Sequence, residues 1–406
     1  MRPELHDYKS ILANCERKLQ ESTIPAKNKE IILKFKQYLI VRNYSLVRII
    51  KYLSMLRIVS TVVPKSFDEY TKDDIFTFIE HLHTKGSKEW TKLSYNAIIK
   101  RFFKWFKGND TEYPELVKNI QIHMSACKTS LPNEGELLTE EEVILLLNHT
   151  KNARDKALVS ILWESGARVA EIATLRIRDV AFDKFGGLIS VQGKTGSRKL
   201  RLISSIPYLA AWLAYHPCKD DVDAPMWATV YGSDKGKLLK YSTHRKILKD
   251  LFKRAGIKKR SNPHSFRHAR ATFLANHLTE FQMNQYFGWV QGSNMPSTYV
   301  HLSGKNTDEA LLKLNGIKLE KTEERSKLLP KTCIRCTLLN GQDAFYCTRC
   351  GCILDSKTAV EQTLKDQEIE DKQVLLGKVL EDLEIRNLIS KRLKEMKKAE
   401  LYATLS

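Results

Sequence analysis

The chain has 406 residues, 42% of them hydrophobic, which suffices for two or three domains that each bury a core. Lysine and arginine number 67 against 47 acidic residues, a formal charge of +20, and such an excess attracts polyanions, of which nucleic acid is the commonest inside a cell. A mean hydropathy of −0.36, the lack of any apolar run near the roughly 20 residues of a membrane span, and the absence of an apolar stretch behind Met1-Arg2-Pro3 argue for a soluble cytoplasmic protein and against secretion or membrane insertion.

Residues 1–24 read as an N-terminal extension. Ile31-Ile32-Phe35-Tyr38-Leu39 and Leu46-Ile49-Ile50-Leu53 repeat at helical spacing. Thr71 with Asp74 three residues on is a capping-box arrangement for a third helix carrying Ile75, Phe78, Ile79 and Leu82. A fourth helix runs from Leu93 to Phe106, crowded with Lys100, Arg101, Lys104 and Lys107, until Gly108-Asn109-Asp110 and Pro114 break it. This predicts a small all-helical domain that, with its linker, spans 25–128. Thr139-Glu140-Glu141-Glu142 caps the first helix of a second domain, 135–310, whose helices continue to Arg168. From Leu188 to Ile203 the period changes to two around Gly193-Lys194-Thr195-Gly196, the pattern of a β-hairpin and so of a small antiparallel sheet. Helical patterning resumes from Tyr241 to about Leu314. Its basic runs, Arg245-Lys246, Lys249, Lys253-Arg254 and Lys258-Lys259-Arg260, suit contact with duplex phosphates. A charged linker, 311–332, leads to a cysteine segment, 333–354. The rest, 355–406, reads as an amphipathic helical tail, or a coiled coil without a strict heptad. The fold class is therefore multidomain and mainly α.

Cys15, Cys127 and Cys218 are isolated, whereas Cys333-x2-Cys336 and Cys347-x2-Cys350 are separated by ten residues and followed by Gly351. Four thiolates at that spacing predict a zinc ribbon holding one structural Zn²⁺, because closed tetrahedral sulfur coordination is a structural pattern and so short a segment has too few apolar residues to fold unaided. Cys352 sits too close to Cys350 for the usual knuckle and reads as a spectator. Whether the ribbon touches DNA, a partner protomer or an accessory protein stays open.

The second domain also holds a set of residues suited to phosphodiester chemistry. Gly166-Ala167-Arg168 places an arginine at a glycine break, with Glu171 one turn on as its buttress. Lys194 lies at the hairpin tip. Pro263-His264-Ser265-Phe266-Arg267-His268 sets His264 and Arg267 on one helical face, and Phe287-Gly288-Trp289 precedes Tyr299 by ten residues counted from Trp289. A phenol can attack phosphorus and conserve the bond energy in an ester, arginine forks can hold the non-bridging oxygens, and lysine or histidine can move the proton.

These blocks, in this order, resemble the tyrosine recombinases: phage-type integrases, Xer-type resolvases and Cre. The likeness covers about residues 25–305, the first domain resembling the family's helical core-binding domain. The resemblance implies that Arg168, Lys194, His264, Arg267, Trp289 and Tyr299 are catalytic, that Tyr299 forms a 3′-phosphotyrosyl bond, and that no cofactor takes part in the chemistry. It further implies double-stranded DNA as substrate, a dimer on each site, a tetramer in synapsis, a Holliday-junction intermediate and a nucleoid-associated location. Trp289 stands where most relatives carry histidine; its indole can donate a hydrogen bond but cannot act as an acid, which shifts that duty toward Lys194. Two rival readings are a topoisomerase-like nicking and religating enzyme and a catalytically silent DNA-binding regulator. Target sequence, biological role and cis or trans delivery of Tyr299 are not legible in the residues.

Overall fold

The computed structural model describes residues 5, 7–108, 110–122, 134–193, 195–300, 314–316, 326–381, 385, 387–388 and 390–392. The chain divides into two compact units, 1–133 and 134–406.

The first unit is helical: α1 (Tyr8–Gln20), α2 (Ala26–Val41), α3 (Leu46–Val62), α4 (Lys72–Thr84) and α5 (Glu89–Phe106). Thr71 and Asp74 form the reciprocal capping box that starts α4, and Asn43 at φ 56° turns the chain between α2 and α3. Phe35, Phe67, Phe78, Phe102 and Phe103 are fully buried and meet mostly edge to face, as Phe35 and Phe102 do at 5.3 Å. The expected N-terminal extension carries α1, whose Leu19 is fully buried in this same core, so it forms part of the unit. The basic residues of α5 bind the chain that follows the helix. Lys100 donates to the carbonyls of Lys118 and Ile120, Arg101 pairs with Asp110 at 2.8 Å, and Lys104 lies over the Tyr113 ring.

The second unit begins with α6 (Glu140–Asn148), started by the capping box of Thr139 and Glu142, then α7 (Ala153–Ser165) and the short α8 (Val169–Ala173). A three-stranded antiparallel sheet follows in the order β1 (Val180–Asp183), β2 (Gly186–Gly193), β3 (Gly196–Leu202). The β2–β3 hairpin is the one read from the sequence, with Gly193 opposite Gly196 at its tip. Val191, Leu200 and Leu202 point into the core. The buried Glu164 of α7 fastens the far end of the sheet: it accepts from the amides of Ile203, Ser204 and Ser205 at 2.7, 3.0 and 2.9 Å and from the Ser205 hydroxyl at 2.6 Å. These groups precede α9 (Ile206–Ala214), so one carboxylate supplies the donors at that helix start with an acceptor. Then come α10 (Tyr241–Arg254), α11 (Pro263–Ala275), α12 (Glu280–Phe287) and α13 (Met295–Val300).

A two-stranded ribbon, β4 (Lys331–Thr332) and β5 (Leu339–Asn340), and the helix α14 (Ser356–Glu381) complete the described elements. The end of the expected linker 311–332 is docked rather than free. Leu328 is buried in the main core, Ser326 Oγ and the Lys327 amide donate to Glu140, and β4 itself lies in that stretch. The ribbon is fixed by Asp343, which accepts from Tyr208 Oη of α9 at 2.7 Å and pairs with Lys156 of α7. Burial alone would raise its carboxyl pKa, but the bonds from Lys156 and Tyr208 hold it below the usual range. The α14 helix leaves Val360, Leu364, Ile369, Val374, Leu375 and Leu376 exposed. No helix among the described residues is long and apolar enough to cross a membrane.

On α10, His244 is fully buried and neither ring nitrogen has a hydrogen-bond partner among the described residues. Burial first, then the nearby Arg154, pushes its pKa down to about 4, while Asp155 opposes. The unfolded chain therefore binds a proton at higher pH than the folded one, so stability contributed by the neutral ring is present above pH ~6.5 and is lost as pH falls toward 4, on the order of 3 kcal/mol in all. Thermal melts of His244→Leu across pH 7 to 4 should show a flatter acid limb than the parent; parallel limbs would remove His244 from the account of acid lability.

Candidate active site

Four elements bring the sequence-predicted side chains together. Gly166 takes φ 54°, ends α7 and turns the chain; a Cβ there would stand 2.9 Å from both Arg270 Cβ and the Phe287 ring. Arg168 comes next as the N-cap of α8. Its amide donates to Glu171 Oε2 at 3.0 Å and its Nη1 to Oε1 at 3.1 Å, the buttress expected from the spacing. The Arg168 side chain keeps 32% of its surface, whereas that of Glu171 keeps 3%.

Arg267 lies on the inner face of α11, only 6% exposed. Its Nη1 donates to the Gly166 carbonyl at 3.1 Å and its Nη2 to that of Phe287 at 2.9 Å. The guanidinium sits over the rings of Phe287 and Trp289 at 4.9 and 5.3 Å. Burial and then the Arg168 charge lower its pKa to about 10, which leaves it a cation at neutral pH. His264 begins the same helix. Burial, Arg267 and Arg168, in that order, lower its pKa and keep the ring neutral.

Tyr299 on α13 is 2% exposed. Its ring stacks on Trp289 at 5.6 Å and 5°, and Trp289 stacks in turn on Phe287 at 4.8 Å. The phenolic oxygen lies 2.9 Å from Nδ1 of His268. Burial raises the Tyr299 pKa, and Arg267 acts against it; the His268 pKa is lowered by burial, then by His264 and Arg267. Tyr299 is thus a neutral phenol facing a neutral imidazole.

Arg168, His264, Arg267, Trp289 and Tyr299 accordingly share one site. Lys194 lies outside the described residues. Its neighbours are placed: a Cβ on Gly193 would collide with Glu171 Oε1, and Thr195 Oγ1 donates to the Gly288 carbonyl at 3.0 Å.

Two residues here had no assigned role in the sequence reading. His268 stands one residue past Arg267 and four past His264, a spacing that puts it on the His264 side of α11. Arg198 is one of three basic residues on β3. It donates from Nη1 and Nη2 to both oxygens of Glu171, at 3.1 and 2.8 Å, and from Nε to the Tyr286 carbonyl at 2.7 Å. Strand parity held the signal: Arg198 alternates with the buried Leu200 and Leu202, and Lys199 does not.

Arg245, Lys246, Lys249, Lys253 and Arg254 line the exposed face of α10, opposite the buried Leu248, Leu251 and Phe252. Lys259 departs from the expected duplex face, since it is tied to the Leu137 carbonyl at 2.6 Å and to Glu142 at 2.9 Å.

In the ribbon, the sulfurs of Cys333, Cys336, Cys347 and Cys350 all lie within 4.8 Å of one another. Cys333 and Cys350 are 3.6 Å apart, Cys336 and Cys347 3.5 Å, near the ~3.8 Å edge of a tetrahedron with metal–sulfur bonds of about 2.3 Å. The two knuckles repeat one geometry. Thr337 at φ 59° donates its amide to the Cys333 carbonyl, and Gly351 at φ 69° donates to that of Cys347, both at 2.9 Å. This donor set can hold a metal ion, and Cys352 stands outside it.

Residues 136–306 match the phage integrase family. The tyrosine recombinase XerA of Pyrococcus furiosus is 27% identical over 248 residues, covering 60% of this chain and 81% of the relative. A tyrosine recombinase of Thermosipho africanus is 27% identical over 300 residues, 70% of this chain and 99% of the relative. Among solved structures, XerH site-specific recombinase bound to palindromic difH substrate, a post-cleavage complex, matches with a TM-score of 0.53 at 19% identity, covering 78% of this chain and all of that one. A lambda integrase tetramer bound to a Holliday junction matches with a TM-score of 0.53 at 15% identity, over 73% of this chain and 87% of that one. The fold is therefore that of the integrases, and the segment that matches the phage integrase family, 136–306, is the one that carries the site built from Arg168 to Tyr299.

Proposed function

We propose that this protein is a site-specific recombinase that cleaves and rejoins duplex DNA through Tyr299. The observation that carries the reading is the convergence of Arg168, His264 and Arg267, with Trp289 stacked against Tyr299 beside them. Arg168 and Arg267 would hold the non-bridging oxygens of the scissile phosphate, aided by hydrogen bonds from His264 and the Trp289 indole. Tyr299 Oη would attack phosphorus and pass its proton to His268 Nδ1, the partner it already meets at 2.9 Å. Lys194 would protonate the leaving 5′-oxygen. The product is a 3′-phosphotyrosyl ester and a free 5′-hydroxyl. Attack by a 5′-hydroxyl of a second duplex reverses the step, so bond energy is conserved and the protein's side chains suffice.

The exposed basic face of α10 suits phosphate contact that supplies affinity without sequence information. Assembly would follow the DNA-bound integrases, with a dimer on each site, a tetramer in synapsis and a Holliday junction between the two exchanges. Acting on genomic DNA, the protein would work in the cytoplasm beside the nucleoid. In the ribbon, the four cysteine sulfurs would bind one Zn²⁺ as a structural ion.

On a suicide substrate nicked beside the cleavage point, the parent should accumulate a covalent protein–DNA adduct, and Tyr299→Phe should reduce it by ~10³-fold or more. An undiminished adduct would exclude Tyr299 as nucleophile, and a parent without adduct would point to the silent regulator. Exchange of flanks between two labelled duplexes separates a recombinase from a topoisomerase-like enzyme. Lys194→Ala should cleave ordinary DNA slowly and regain parental speed on a 5′-bridging phosphorothiolate, whose thiolate leaves without a proton. Equal defects on both substrates would take the acid role away from Lys194.

Metal analysis of purified full-length protein should find one zinc per chain, lost in Cys347→Ser. Chelation should lower the melting temperature of the parent and leave that of the variant unchanged. Zinc content equal in the two proteins would end the assignment.

A further inference from the structure

We infer that Arg198 is a positioning residue for strand cleavage, a buried bridge that sets Arg168 and Trp289 at the distance one phosphate requires; the inference rests on the active-site reading above. Its side chain keeps 10% of its surface, and all three guanidinium nitrogens are engaged. It is therefore no phosphate ligand. Its bonds run in two directions. On one side both Nη groups close on the Glu171 carboxylate, the same carboxylate that receives the amide and Nη1 of Arg168. On the other side Nε reaches the Tyr286 carbonyl at the end of α12.

That helix end is the second half of the argument. Terminal carbonyls of a helix lack intrahelical partners and carry partial negative charge. Here three consecutive carbonyls ahead of Trp289 each receive a donor from a different place: Tyr286 from Arg198 on β3, Phe287 from Arg267 on α11, and Gly288 from Thr195 beside the hairpin tip. The turn that delivers Trp289, and through stacking orients Tyr299, is held by these side chains. Of the three donors, Arg198 alone also binds Glu171.

Two glycines mark how closely the parts fit. A Cβ on Gly193 would collide with Glu171 Oε1, and one on Gly288, at φ 61°, would stand 2.8 Å from Arg198 Nη1. A lysine at 198 could meet one of these acceptors but not both arms of the carboxylate and the carbonyl together, because its ammonium is a point donor and the guanidinium a planar fork.

The test compares single-turnover adduct formation on the suicide substrate by the full-length parent, Arg198→Lys and Arg198→Met, at saturating DNA and well below each melting temperature. Both variants should react ~10 to 100-fold more slowly, with DNA affinity within threefold of the parent, since a displacement of about 1 Å in a catalytic group lowers rate more than binding. The defect should persist on the 5′-bridging phosphorothiolate, because the phosphate-holding groups and not the proton donor are misplaced. In a double-mutant cycle, Glu171→Gln on the Arg198→Met background should add little to the loss. Should Arg198→Met fail to fold, Arg198→Lys decides. A folded Arg198→Lys that cleaves within threefold of the parent overturns the inference, as does full recovery on the phosphorothiolate or an additive double mutant. Tyr299→Phe runs beside them: an adduct that survives it overturns the active-site reading itself, whatever the Arg198 variants do.

Discussion

The catalytic unit is organised around one buried carboxylate. Glu171 lies between Arg168 and Arg198 with 3% of its side-chain surface exposed, and a charge so placed is tolerable only while its partners stay. Burial drives its pKa up, but Arg198 first and then Arg168 more than offset this, and the group remains an anion. The requirement is mutual. The acid needs two cations, one cation belongs to the loop after α7 and the other to the hairpin, so these two pieces of chain are obliged to meet.

The charge balance of the site follows. Arg168, Arg198 and Arg267 are three cations facing Glu171, with Arg267 sunk under the rings of Phe287 and Trp289. A surplus of positive charge held in fixed positions before substrate arrives is the preorganisation that stabilises charge developing at a phosphate. The same surplus acts on the histidines. His264 and His268 are kept neutral by burial and by the neighbouring charges, so each retains an acceptor nitrogen. In the proposed reaction the cations would serve the phosphate while the neutral rings would handle hydrogen bonds and the phenolic proton.

Much of this was legible in the residues, and the failures have physical causes. Capping at Thr71 and Thr139 marked helix starts correctly because reciprocal side-chain and backbone bonds are local. The hairpin showed because alternation is a short-range signal. The quartet of cysteines showed because knuckle geometry fixes spacing. By contrast, α1 carries few apolar residues among many polar ones, and its Leu19 finds its place only in the assembled core of the first unit. Lys259 resembled its basic neighbours until the fold set Glu142 beside it. Arg198 was one of three basic residues on a strand, and only parity combined with the distant Glu171 distinguishes it. Local chemistry was readable; partnerships across long sequence separations were not.

The docking of Asp343 on Tyr208 and Lys156 has a consequence for how the second unit comes apart. Lys156 belongs to the first turn of α7, the helix that runs directly into the Gly166 turn and Arg168. Tyr208 belongs to α9, whose start is fastened to α7 through Glu164. The small sulfur-bound module therefore shares its attachment points with the helix that delivers Arg168. Unfolding of that module and fraying of α7 become thermodynamically linked events, so the unit melts with greater cooperativity than a catalytic domain carrying a loosely tethered appendage.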